Sequence, residues 1–272
     1  MIAQSTMEYV KTHNNPWRSL LWKELSESKM LVVWSAALMA ALFIGDIVFV
    51  RANDSELGVD AGGAQGLVFI VWFISALLTS SSMVSPEIGG AKLQFLSSMP
   101  LPRKRVWWTK VSVALTIHLL SMIAAAVVFF LMTELAAKGG IIHLTQHMTL
   151  LRFLTAYWFV PVLSLGVFCV GTVVTMFTDR TLSSFFVSAI LSIGLGAAFG
   201  ALASTLNPGH YWLVWGLISL VSATLLAVSY QIFLHGESLR TSKRFAILLD
   251  IALFDLLPVI VAVILALLWI TH

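Results

Sequence analysis

The chain has 272 residues, of which 59% are hydrophobic and only 11% are charged. A soluble domain of this length carries about 25% charged residues, so this composition excludes an ordinary soluble globular protein and indicates an integral membrane protein. The net charge of +3 gives no reason to expect nucleic acid as a partner, because the basic residues follow the pattern of membrane topology signals. Cys169 is the only cysteine, so no disulfide can form within the chain.

The first 29 residues are polar to amphipathic. Within residues 17–25 an apolar stripe of Trp and Leu faces away from a charged side, which predicts a helix lying on the cytoplasmic membrane surface. The alternative is an ordinary polar tail. No cleavable signal peptide is expected, because the segment is too long and polar for an n-region and no A-x-A site follows it.

Long apolar runs dominate the rest of the chain. A membrane-crossing helix needs about 20 mostly apolar residues. Runs of that kind predict an all-α, polytopic membrane protein with seven transmembrane helices, six of them in a core over residues 30–234 and one after a cytoplasmic loop in residues 235–272. The predicted spans are 30–50, 66–84, 106–133, 153–178, 183–206, 210–234 and 245–270.

The distribution of Lys and Arg predicts the orientation. With the N-terminus in the cytoplasm, all but Arg51, Lys138 and Arg152 of the 16 basic residues fall on the inner side. Cytoplasmic loops of membrane proteins carry such an excess. We therefore expect a multi-pass protein of the cytoplasmic (inner) cell membrane, with its C-terminus outside.

The longest polar interruption between two apolar runs is residues 85–110, SPEIGGAKLQFLSSMPLPRKRVWWTK. Ser85 as N-cap and Pro86 at the first helical position predict a helix start, and Pro100 stops the helix. Apolar residues recur between them at helical spacing. We expect a short amphipathic helix over residues 86–99 on the inner membrane surface; the alternative is a solvated loop with topogenic charges.

A basic cluster and two tryptophans follow this segment. Arg103, Lys104 and Arg105 stand directly before the third apolar run, and Trp107 and Trp108 stand at its start. Basic residues beside a span indicate the cytoplasmic side, and tryptophans there are typical of the membrane interface.

The same segment resembles the loop between the second and third spans of ABC-2 type ABC transporter permeases. That loop commonly reads Glu, then Gly-Thr-Leu-Glu-Phe-Leu-Leu-Ser-Leu-Pro, then two or three basic residues. Here Ala91 replaces the Thr and Gln94 replaces the second Glu. Residues 20–25, LLWKEL, are similar to the connecting helix that precedes the first span in that family. The matching residues of the loop are Glu87, Gly89, Gly90, Leu93, Phe95, Leu96, Pro100, Arg103, Lys104 and Arg105.

The resemblance implies an ABC transporter permease subunit, an exporter, that is not itself an enzyme. ATP and Mg would be bound by a separate ATP-binding cassette ATPase subunit, with no cofactor in this chain. The chain contains no GxxxxGK[ST] phosphate loop, in agreement with this expectation. The residues expected to couple to the ATPase are Glu87, Lys92, Gln94, Phe95, Arg103, Lys104 and Arg105.

The family usually has six spans, so a seventh is a departure from its plan. Two permease subunits, identical or different, would pair within the bilayer. The substrate stays open between lipid, peptide, antibiotic and glycan, as does a role in maturing a metalloenzyme.

Glycines in the fifth span form a face suited to close helix contact, with Gly196 and Gly200 in a GxxxG pattern and Gly194 beside them. Such a pattern serves packing within one chain or between chains. The resemblance implies a dimer interface and translocation path there. In the fourth span, Pro161, Gly166 and Gly171 predict a kinked, deformable helix.

The ionisable residues well inside the predicted spans, away from the basic cluster and the span ends, are Asp46, His118, Asp250 and Asp255. A charge at mid-bilayer costs about 3 kcal/mol on insertion scales, so each needs a partner. His118 and Asp255 have similar predicted depths, and a hydrogen-bonded pair would offset the cost. The pair has two interpretations, a clasp between helices or a proton relay that contacts substrate.

Three other functions are open to a multi-pass chain of this kind. An ion-coupled secondary transporter would use Asp255 and His118. An intramembrane aspartyl protease would use Asp250 and Asp255, but neither lies in the Gly-x-Gly-Asp pattern of those enzymes. A seven-span receptor would have its N-terminus outside, against the distribution of basic residues.

A metal site is not expected. His143 and His147 stand at i, i+4 in a predicted outer loop and are the only candidate pair. The Glu that accompanies such a pair in HExxH metalloproteases is missing. The question of metal binding at these two residues stays open.

Overall fold

The structure is a computed structural model, which describes residues 16–52, 61–88, 102–138, 159–177, 181–204 and 211–235. These ranges hold six α-helices and no strand. The helices are α1 (Pro16–Ala52), α2 (Ala61–Ile88), α3 (Arg103–Lys138), α4 (Phe159–Thr175), α5 (Thr181–Ser204) and α6 (Tyr211–His235).

Four of the helices, α1, α3, α5 and α6, are long and apolar enough to cross a membrane, and α2 and α4 contain shorter apolar stretches. The described part of the chain is thus all-helical, and its apolar helices indicate a multi-pass membrane protein, as predicted. Each of the first six predicted spans overlaps one of the six helices. The seventh, 245–270, lies outside the described residues.

The first helix joins two segments that the sequence suggested were separate. α1 is continuous over 37 residues, with no break near residue 29. At 1.5 Å per residue it is about 55 Å long, well beyond the roughly 30 Å of bilayer hydrocarbon. No glycine or proline interrupts it between Pro16 and Gly45, and Pro16 occupies its first position, where proline is tolerated. The amphipathic stretch over residues 17–25 is therefore the first part of the spanning helix.

The second helix also extends further than predicted. α2 continues to Ile88, so Ser85 and Pro86 lie in its last turn and do not start a new helix. The rest of the predicted amphipathic helix, residues 89–99, lies outside the described residues.

The first and third helices run parallel. Near their starts the Lys110 ammonium lies 2.8 Å from the Glu24 carboxylate. Further along, the rings of Phe43 and Phe129 meet edge to face with their centroids 6.0 Å apart. From the first contact to the second, the residue numbers rise on both helices, so α1 and α3 run in the same direction.

The second helix runs antiparallel to the third. The Trp72 indole N–H donates to the Met122 carbonyl at 3.0 Å, and Ser75 is hydrogen-bonded to His118. The sequence numbers rise along α2 as they fall along α3, as expected for helices that alternate in direction through a membrane.

One end of the bundle carries Trp17 of α1, Arg103 of α3 and Leu234 of α6; it is called the basic end below. Its basic residues, among those whose side chains the structure describes, are Arg18, Lys23, Lys29, Arg103, Lys104, Arg105 and Lys110, whereas Lys138 lies at the other end. The uneven distribution of basic residues that predicted the orientation is thus also found between the two ends of the helix bundle.

Two larger apolar clusters and a small one in α6 form the core of the described residues. One of the larger clusters joins α1, α2, α3 and the start of α4 around Phe43 and Trp72, and the other joins α2, α3, α4 and α6 around Trp107 and Phe168. Trp107 is only 1% exposed and packs its ring against Tyr230 at a centroid distance of 5.0 Å. The prediction that it belongs to an interface belt is therefore wrong, because its side chain faces the bundle interior. Trp108 is 49% exposed and does lie at the surface.

Candidate functional site

The basic end contains a buried ion pair that links α1 to α3. The Lys110 Nζ atom donates to the Glu24 Oε1 atom at 2.8 Å, and the two side chains are 1% and 11% exposed. Two charges buried together cost several kcal/mol of desolvation, and only good geometry offsets this. The pair therefore holds the starts of the two helices in one arrangement.

A second contact reinforces this junction. The Trp17 indole N–H donates to the Thr109 hydroxyl at 3.0 Å, and Thr109 in turn donates to the Arg105 carbonyl at 2.8 Å. The first turns of α1 and the second turn of α3 are thus joined by both an ion pair and a neutral hydrogen bond.

The three residues of the predicted basic cluster have different environments. Arg103 extends to α6 and donates to the Leu234 carbonyl at 3.3 Å, where a cation suits the negative helix end. Lys104 and Arg105 are exposed and make no ion pair within the described part of the chain. Arg103 thus binds another helix of the same chain, and only its two neighbours remain accessible.

Sequence reasoning missed the Glu24–Lys110 pair because Lys110 was counted only as a topology charge and Glu24 only as part of a solvated helix face. The sequence does contain a feature that indicates a buried partner for Lys110. Lys110 follows Trp107 and Trp108 inside an apolar run, and a lysine in that position needs a partner. Glu24 was placed on the polar face of a surface helix, yet the structure buries it against α3.

His118 lies at the centre of a polar cluster in the middle of the bundle. Its Nδ1 atom is 3.3 Å from the Ser75 hydroxyl, and its Nε2 atom is 3.2 Å from the Ser164 hydroxyl. The ring also stacks on Phe168, with centroids 6.0 Å apart. The Ser164 hydroxyl also lies within donating distance of the Pro161 carbonyl and the Met122 sulfur, so a tautomer with the proton on Nε2 is compatible with these contacts. One imidazole thereby joins α2, α3 and α4.

This arrangement bears on the expected pair between His118 and Asp255. Asp255 lies outside the described residues, and both ring nitrogens of His118 already have hydroxyl partners. A carboxylate would have to displace one of the serines. The contacts seen here are those of a clasp between helices.

A close contact between α2 and α4 lies near this cluster. A methyl group added at Gly171 would overlap the Ser80 hydroxyl and lie 2.6 Å from the Ser80 Cβ atom, with the Ser188 hydroxyl of α5 at 3.8 Å. Gly171 therefore serves close packing of three helices. Pro161 is the third residue of α4 as described, and residues 153–158 of the predicted fourth span lie outside the described residues, so the kink stays a prediction.

The fifth-span glycines have no such contact. A methyl group added at Gly194, Gly196 or Gly200 would meet no atom within 4 Å, and all three residues are exposed. Gly196 also lines an apolar cavity of about 250 Å³ enclosed by α2, α4, α5 and α6. Packing within one chain therefore does not account for this glycine face in the described residues.

Several predicted site residues cannot be located. Lys92, Gln94, Phe95, Asp250 and Asp255 lie outside the described residues, as do His143 and His147 of the possible metal pair. Glu87 lies in the last turn of α2, and its side chain is not described. Asp46 is half-buried toward the far end of α1. No group of three or more His, Cys, Asp or Glu side chains suited to a metal occurs within the described residues.

Comparison with known proteins gives no relative: no family model, no curated protein and no solved structure matches the chain.

Proposed function

We propose that the chain is the membrane-spanning subunit of an ABC-2 type ABC transporter, an exporter driven by ATP hydrolysis in a separate ATPase subunit. In this proposal the basic end faces the cytoplasm, the N-terminus is cytoplasmic, and seven helices span the inner membrane. Two permease subunits, identical or different, pair within the bilayer.

The observation that carries the proposal is the position of the family-like segment. α2 ends at Ile88 and α3 begins at Arg103, so the segment that resembles the ABC-2 coupling loop connects two apolar helices at the basic end. A segment that receives motion from an ATPase has to lie on the cytoplasmic side, and basic residues favour that side.

The contacts of α3 suit such a role. Its first turns are bound to α1 through Glu24 and Lys110 and to α6 through Arg103 and Leu234. A displacement of the segment before α3 would therefore act on three helices at once. This gives a mechanical route from the cytoplasmic surface into the membrane.

The proposal predicts that Glu87→Lys and Phe95→Ala weaken binding of the ATPase. The first change reverses a charge on the docking segment and the second removes an aromatic anchor. Each should lower the amount of co-purified ATPase by about tenfold, which corresponds to a loss of about 1–2 kcal/mol of binding free energy, as is usual for a contact residue. The measurement is a pull-down of the P-loop ATPase encoded in the same operon, co-expressed with the tagged permease, together with the ATPase rate of the complex.

The matched control is Glu134→Lys, which reverses an exposed charge near the opposite end of α3 and should leave the complex intact. Expression and membrane insertion should be equal in all variants. If both segment variants bind the ATPase as the unaltered chain does, the coupling role is refuted and the transporter proposal loses its main support.

The unoccupied glycine face of α5 leads to a prediction for the permease pair. Gly196→Leu or Gly200→Leu should reduce the dimer fraction severalfold, because a bulky side chain separates backbones that a GxxxG face lets approach. Native gels of protein in mild detergent measure this fraction. Gly216→Leu is the control, since that glycine of α6 is also exposed with no atom within 4 Å of an added methyl. An unchanged dimer in both α5 variants would place the subunit contact elsewhere.

The alternative is an ion-coupled secondary transporter that uses His118 and Asp255. The two serine partners of His118 give it little support, because no nitrogen is free to exchange a proton with a carboxylate. Transport by the purified chain without any ATPase would favour this alternative.

A further inference from the structure

A groove of about 810 Å³ opens between α1 and α3 at the basic end. Tryptophan, basic, hydroxyl and aliphatic side chains share its wall. They are Trp17, Leu21, Leu25, Lys104, Arg105, Trp108, Thr109, Ser112, Val113 and Thr116.

The mouth of the groove is positively charged. Lys104 and Arg105 line it, and neither forms an ion pair within the described part of the chain. No Asp or Glu is among the lining residues that the structure describes, and Glu24 of α1 is paired with Lys110. The groove therefore presents two uncompensated cations to a ligand.

The polarity of the wall changes with depth. From Lys104 to Thr116 the groove follows α3 for about 18 Å at 1.5 Å per residue, from the helix start toward the middle of the bundle. Leu21 and Leu25 form the facing wall on α1. Trp17 and Trp108, both nearly half exposed, flank the entrance. Beyond the cations and tryptophans the wall is mainly aliphatic, with the hydroxyls of Ser112 and Thr116 among it, and the Thr116 hydroxyl donates to the Ser112 carbonyl of its own helix. Charge, then aromatic rings, then a mainly apolar surface is the order of a membrane leaflet from headgroup to acyl chain.

We propose that this groove binds one anionic phospholipid of the leaflet at the basic end. Lys104 and Arg105 pair with the phosphate, Trp17 and Trp108 lie beside the glycerol region, and an acyl chain follows Leu21 and Leu25. Basic pockets between spanning helices bind acidic headgroups in this way. The apolar wall distinguishes a lipid from a soluble anion, which would gain nothing from it. The site does not depend on the transport function proposed above.

Native mass spectrometry of the full chain tests the proposal. The delipidated protein in neutral detergent is given equal amounts of phosphatidylglycerol and phosphatidylcholine, and bound lipids are counted. The unaltered chain should retain phosphatidylglycerol preferentially. Each basic side chain near a membrane surface contributes about a fivefold preference, so Lys104→Gln with Arg105→Gln should reduce the preference about 25-fold.

Two further variants distinguish binding in the groove from a general attraction between basic residues and an anionic lipid. Arg18→Gln with Lys29→Gln removes the same charge from exposed positions of α1 that do not line the groove, and should retain the preference. Ser112→Trp keeps both cations but fills the groove, and should lose bound lipid.

Three outcomes would overturn the proposal. Equal retention by all variants would show that the groove holds no lipid. Equal loss of the phosphatidylglycerol preference in the two double variants would mean that net charge alone, and not the groove, causes that preference. Displacement of the lipid by millimolar glycerol phosphate would mean that the groove binds only the headgroup and that Leu21 and Leu25 do not hold an acyl chain.

Discussion

Replacing Lys110 with methionine should lower the free energy of unfolding by about 3–5 kcal/mol, the largest effect expected of any single substitution in the described residues. The change leaves the Glu24 carboxylate buried without its cation, and an uncompensated buried charge is strongly destabilising. For a chain of this size the midpoint of thermal unfolding should fall by roughly 10 °C. Tryptophan fluorescence of the detergent-solubilised protein during heating measures that midpoint.

The chain offers a matched control on the same helix. Lys138 also pairs with a glutamate, Glu134, but at 3.8 Å and with both side chains more than half exposed. Lys138→Met should cost at most about 1 kcal/mol, as is usual for surface pairs. Adding Glu24→Gln to Lys110→Met should restore part of the lost stability, because the stranded charge is removed. Equal effects of the two lysine substitutions would contradict the burial of the Glu24–Lys110 pair.

Gly171→Ala should cost about 2–3 kcal/mol of stability, at the upper part of the range for overpacking a core. The new methyl group would meet both the hydroxyl and the Cβ atom of Ser80 on the neighbouring helix. Rotation of the hydroxyl cannot relieve the contact with Cβ, so α2 and α4 must move apart. The loss should appear in the same thermal measurement.

The second-site change Ser80→Gly supplies a sharp check. It removes both clashing atoms and should restore most of the stability lost in Gly171→Ala, whereas Ser80→Ala should not, because its Cβ atom remains. Gly216→Ala, at an exposed position with no neighbour within 4 Å, should change stability by less than about 1 kcal/mol, with alanine favoured in the helix. Absence of rescue by Ser80→Gly would mean that the contact lies with another residue.

Much of the fold followed from hydrophobic length and charge distribution. Runs of about 20 apolar residues required helices, since a backbone in lipid must satisfy its own hydrogen bonds. The side on which Arg103 to Arg105 lie also followed, because basic residues mark one face of the membrane. Composition alone therefore predicted the helices and their common basic end.

Helix boundaries and partners were harder to predict. A polar stretch such as residues 26–29 is compatible with a helix, so nothing in it distinguished a surface segment from the start of a longer span. Glu24 contacts Lys110, which lies 86 residues further along the chain. His118 contacts Ser75, 43 residues before it, and Gly171 contacts Ser80, about 90 residues before it. Periodicity assigns a residue to a face of its own helix, but it does not say which residue of another helix meets it.

The parallel pair formed by α1 and α3 has a mechanical consequence. Glu24–Lys110 and Phe43–Phe129 are separated by equal numbers of residues on the two helices, about 28 Å at 1.5 Å per residue. For one helix to slide along the other, both contacts would have to break, so we expect α1 and α3 to move together. A displacement at the start of α3 would then also displace α1.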